Sequence, residues 1–83
     1  MNKKNVGTMK KYEVHWINNS QDKFHGIFDT LEEAQDSVKD WWNKNNYTPP
    51  YVRTIIKEDC IVWDYGLHNA LYVFKKVETC IND

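Results

Sequence analysis

Only one stretch of this chain carries helical periodicity, and it lies between segments that alternate. In "DTLEEAQDSVKDWWNKNN", Asp29 to Asn46, the residues Leu31, Ala34, Val38, Trp41, Trp42 and Asn45 fall within an arc of about 100°. Thr30 followed by Glu33 is a capping box, in which the threonine oxygen accepts from the Glu33 amide and the glutamate reaches back. At the other end Asn45–Asn46 can supply a left-handed cap, and Thr48-Pro49-Pro50 forbids continuation. Trp41 and Trp42 are the two edges of the apolar arc, which places both mainly in the core. A single amphipathic helix has one apolar stripe and must bury it against something else.

The flanking segments supply the partner. In "KKYEVHWIN", Tyr12, Val14 and Trp16 share one face and Glu13 and His15 the other, the pattern of a half-buried strand. The turn formers "NNSQDK" predict a loop of about six residues into "FHGIF", with Phe24 and Phe28 on one face and Gly26 between them. After the prolines, "YVRTIIKE" is rich in β-branched residues. "KEDC" can turn into "CIVWDY", where Ile61, Trp63 and Tyr65 alternate with Cys60, Val62 and Asp64. "GLHN" is a turn cluster. "ALYVFKKVE" is a last strand, with Leu71, Val73 and Val77 opposite Tyr72 and Phe74. The order β-β-α-β-β-β predicts the α+β class: a single helix packed on one face of a four- to five-stranded, mostly antiparallel sheet.

Eighty-three residues leave room for one core. A chain this short buries roughly 60–65% of its unfolded surface, so it depends on dense packing of large side chains. We expect a domain over residues 10–79, a flexible segment over 1–9 and a C-terminal tail over 80–83. The N-terminal "MNKKNVGTMKK" is not followed by an apolar signal core, and no run approaches the roughly 20 apolar residues of a membrane span. Two cysteines, Cys60 and Cys80, suggest reduced thiols rather than a disulfide framework. Together these predict a cytoplasmic protein with no membrane contact. Ten lysines against one arginine, with nine asparagines, fit the codon usage of an AT-rich genome, such as a low-GC bacterium or its phage.

Charge excludes the extremes of function. Eleven basic against twelve acidic residues is neither the basic stripe of a general nucleic-acid binder nor the acidity of a DNA mimic. A zinc site wants closely spaced Cys/His pairs, and His15, His25 and His68 form none, although the first hairpin could bring His15 and His25 together. Ser20 and Ser37 sit in no nucleophile elbow, and Asp59 beside Cys60 disfavours a thiolate. The three glycines make no phosphate cradle. We therefore expect no cofactor, no metal and no catalysis.

What remains are surfaces. Glu32, Asp36 and Asp40 stack at i, i+4 spacing into an acidic ridge, a solvated face or a strip for a basic partner. The helix stripe is too narrow for every aromatic ring, so Tyr12, Tyr51, Tyr72 or one tryptophan should reach the surface. "YVR" at Tyr51–Arg53 and "YVFKK" at Tyr72–Lys76 join rings to cations. The expected function is a non-catalytic protein-binding protein, of the kind by which a phage inhibits a host (defence) protein. Its interface would draw on Glu32, Asp36, Asp40, Tyr51, Arg53 and Tyr72, and a free sheet edge could add pairing with a second copy. The alternative is a protein that sequesters a small ligand or nucleotide by aromatic stacking and Lys/Arg contacts.

Overall fold

The first and last strands pair in the middle of the sheet. The computed structural model describes residues 7–81; residues 1–6 and 82–83, the outer parts of the expected flexible segment and tail, lie outside the described residues. Strand β1 (Gly7–Asn18) pairs along its whole length with β5 (Ala70–Ile81), from Gly7 opposite Ile81 to Asn18 opposite Ala70. Both strands thus run further outward than their side-chain alternation shows. Around them lie β2 (Gln21–Phe28), β4 (Cys60–Asp64) and β3 (Arg53–Ile56), in the order β2-β1-β5-β4-β3 with every neighbouring pair antiparallel. One helix, α1 (Leu31–Lys44), packs across β1, β2 and β5. This is the predicted α+β architecture.

The helix is closed at both ends as its sequence requires. The Thr30 hydroxyl accepts from the Glu33 amide at 3.1 Å, and Glu32 and Glu33 complement the dipole of the first turn. At the other end Asn46 takes a left-handed φ of 53°. Its amide donates to the Asn43 carbonyl and the Tyr47 amide to the Trp42 carbonyl, the paired bonds of a Schellman motif. That reversal carries Tyr47 back beneath the helix.

Two local features of the first hairpin depart from the sequence reading. Asn18 pairs directly with Gln21, so the turn is two residues, Asn19–Ser20, rather than about six. Asn19 makes it possible by adopting a φ of 55°, one of the few residue types that tolerates this. Further along, Val14 faces Gly26 while His15 faces Phe24, which leaves His25 as the extra residue of a β-bulge. The bulge puts Phe24 and Phe28 on opposite faces, correcting the expectation that they share one. It also separates His15 from His25: His15 stands against Phe24 on the open face, and His25 against Trp41 and Tyr72 beneath the helix.

Between helix and sheet lies a core of Val14, Ala34, Val38, Trp42, Trp63, Tyr65, Ala70, Tyr72 and Phe74. Small residues on the helix (Ala34, Val38) let it sit close, and rings from the sheet fill the space. Gly66, at a φ of 94°, follows β4; a Cβ there would lie 2.6 Å from Pro50. Glycine therefore lets the Pro49–Pro50 segment close over the end of the sheet.

Candidate functional site

The rings that fill the core do not close it completely at the C-terminal end of α1. A pocket of about 480 Å³ opens there between the helix, the β1–β2 hairpin and the loop before β5. That volume lies within the range of small-molecule sites.

Its floor is rigid. Trp42 stacks on Trp63 with centroids 5.9 Å apart, and meets Tyr65 at 5.5 Å and Tyr72 at 5.9 Å. Tyr65 and Tyr72 are 5.2 Å apart, and Tyr47, delivered by the Schellman turn, stands edge-on to both Trp42 and Tyr65. The Trp16 indole N–H donates to the Tyr65 hydroxyl at 2.6 Å, tying β1 to the end of β4. Burial pushes the Tyr72 phenol up to about 12; Tyr65 adds to this, and the Trp42 indole N–H partly offsets it. Burial likewise raises Tyr65, against the opposing bond from Trp16. Both phenols stay protonated throughout the physiological range and present hydroxyl groups rather than charges.

The rim is exposed where the floor is buried. Trp41 is 49% exposed while its neighbour Trp42 is 7% exposed, so only one of the pair is core, against the expectation that both are. The reason lies in β2. The bulge raises His25 into the space under the helix, with its ring 6.2 Å from Trp41 and 6.1 Å from Tyr72. Trp41 therefore meets an imidazole edge-on at the edge of the sheet instead of entering the core. Lys23 completes that side, its ammonium 5.9 Å from the Trp16 ring centroid, within the range of a cation–π contact.

The residues singled out from the sequence are distributed over three places. Glu32, Asp36 and Asp40 are exposed. Asp36 and Asp40 border a separate depression of about 420 Å³ with Ile27 and Phe28. Tyr51 and Arg53 lie at the opposite edge of the sheet, where Arg53 is bound to Asp64 at 3.0 Å. Tyr72 is not at the surface at all: it is 4% exposed and forms part of the pocket floor. The sequence reading missed Trp16, Lys23, His25, Tyr47 and Tyr65 as site residues. Gly26 beside a histidine, between Phe24 and Ile27, was the available sign of a bulge. No protein-family model, curated protein or solved structure matches this chain.

Proposed function

We propose that this chain is a small non-catalytic binding protein that holds a planar aromatic group in the pocket at the end of α1. The observation that carries the reading is the half-exposed Trp41 over a floor of buried, mutually locked rings. A pre-formed floor costs little ordering on binding, and an exposed tryptophan gains apolar burial when a ring slides against it. A free ligand of this kind would be sequestered rather than transformed. The phenols on the floor hold their protons, so they orient a guest by donating hydrogen bonds.

A thermal-shift screen of nucleotides, aromatic acids and aromatic amines tests the reading. A genuine ligand at 100 times its Kd stabilises the fold by about 2.7 kcal/mol. The shift should vanish in Trp41→Ala. A panel without any stabilising compound, or shifts that survive that substitution, would sink it.

A second reading is favoured by a separate observation. The apolar surface does not stop at the pocket: Ile27 on β2 and Trp41 on the helix are both exposed, and Ile27 borders the depression with Asp36 and Asp40. Such a strip fits a partner protein that sets an aromatic anchor in the pocket and basic residues on the ridge. Peptide libraries panned on the wild type and on Asp36→Lys/Asp40→Lys distinguish this case. Basic, aromatic-containing peptides should be enriched on the wild type alone.

A further inference from the structure

We propose that the pocket selects a planar aromatic ligand bearing an anionic head group, and that Lys23 is the residue that reads the charge. The inference rests on the pocket being a binding site and specifies what it binds.

Lys23 is the one ammonium among the described residues that line the pocket, and the tyrosine hydroxyls there can donate as well as accept. His25 contributes an imidazole. The Tyr65 hydroxyl already accepts the Trp16 indole N–H, so its own proton remains to be given. Asn45 spends its side-chain amide on the Trp41 carbonyl at 2.7 Å, as part of the helix cap. Among the described residues no carboxylate lines the pocket. Asp36 and Asp40 border a separate depression with Ile27 and Phe28, and Asp22, next to Lys23 in the chain, is bound to His15. The lysine and the two aspartates thus line different cavities.

A cluster of rings can also hold a cation, so that possibility must be weighed. Two features oppose it. The Trp16 ring already has the Lys23 ammonium over it, 5.9 Å from its centroid. A second cation would meet that charge with no carboxylate in the pocket to offset it. An anion instead gains the ammonium as a charge-assisted partner and the Tyr65 hydroxyl as a donor, while its ring lies among Trp41, Trp42 and Tyr72.

Three probes with one ring and different head groups test the charge directly: 2-naphthoate, 2-naphthamide and 2-naphthyltrimethylammonium. Binding is read by quenching of tryptophan fluorescence at pH 7 and low salt. Naphthoate should bind about five- to tenfold tighter than the amide, the worth of one partly exposed charge-assisted contact, with the ammonium weakest. Lys23→Ala should bring the affinity for naphthoate down to that for the amide in the same variant. Lys23 is an exposed residue of an edge strand, so circular dichroism should show that variant folded. A preference for the ammonium, equal affinities for all three, or a naphthoate preference that persists in Lys23→Ala would overturn the inference while leaving an aromatic pocket in place. Failure of all three probes to bind would overturn both.

Discussion

The two faces of this sheet are built from the same five strands and do different work. Under the helix, Trp16, Trp63, Tyr65, Tyr72 and Phe74 interlock ring against ring, with the Trp16–Tyr65 hydrogen bond set among them. On the open face one row crosses every strand, Phe24, His15, Val73, Val62 and Ile55 in register. There the side chains are smaller, and ion pairs flank them: His15 with Glu13 and Asp22, Arg53 with Asp64. Large rings bury on the order of 150–250 Å² each, so the covered face carries most of the stability. Exposed ion pairs contribute little. The bulge at His25 is where the two faces trade residues, and the pocket lies beside it.

Trp42→Ala is the substitution expected to cost most. The ring touches Trp63, Tyr65, Tyr72 and Tyr47, and nothing nearby can collapse into its place. A loss of about 3–5 kcal/mol in urea unfolding is expected. A loss below about 1 kcal/mol would mean that the covered face is not the stabilising one. Tyr65→Phe keeps the ring but removes the acceptor for Trp16. Because Trp16 is only half-buried and water can reach it, the cost should be about 1 kcal/mol. Trp41→Ala sharpens the contrast most directly, since one position along the chain the cost should fall below about 1 kcal/mol in the same experiment. The pair would then differ severalfold in stability, while ligand binding is lost at Trp41.

Helical angles put Trp41 and Trp42 at the two edges of one stripe, and that much is correct. They do not say what stands under each edge. Trp42 meets β4 and the rings of Tyr65 and Tyr72; Trp41 meets the edge strand β2 and a bulged histidine. Strand order decides this, and it depends on the long pairing of β1 with β5, which no local pattern records. The Thr30 cap, the left-handed stop at Asn46 and the alternation of β1, β4 and β5 were legible because each is a local property of a few residues. The bulge and the two-residue turn at Asn19–Ser20 were not, since both are settled by the register of a partner strand. Tyr72 shows the same limit: its alternation with Leu71 and Val73 was clear, but which face would receive the helix was not.

The smallest effect expected belongs to the open face and tests whether it contributes at all. His15 places Nδ1 2.8 Å from Asp22 and Nε2 3.0 Å from Glu13. Both ring nitrogens face carboxylate oxygens, so the imidazolium, which donates from both, fits the site better than either neutral tautomer. Burial by itself lowers the His15 pKa. The hydrogen bonds to Glu13 and Asp22 and the charges of the two carboxylates outweigh it, and the net result lies above the ordinary value of 6.5. A histidine raised in the folded state contributes stability that is fully present below the unfolded value. That contribution is lost as pH rises through the folded one. The wild type should therefore lose a little Tm relative to His15→Asn as pH is taken upward from about 6 through the neutral range. The difference should shrink further at high salt, because Asp22 is exposed. Parallel Tm curves for the two proteins across that range would mean that the open face contributes no titratable stability, and that the covered face and its rings account for the fold alone.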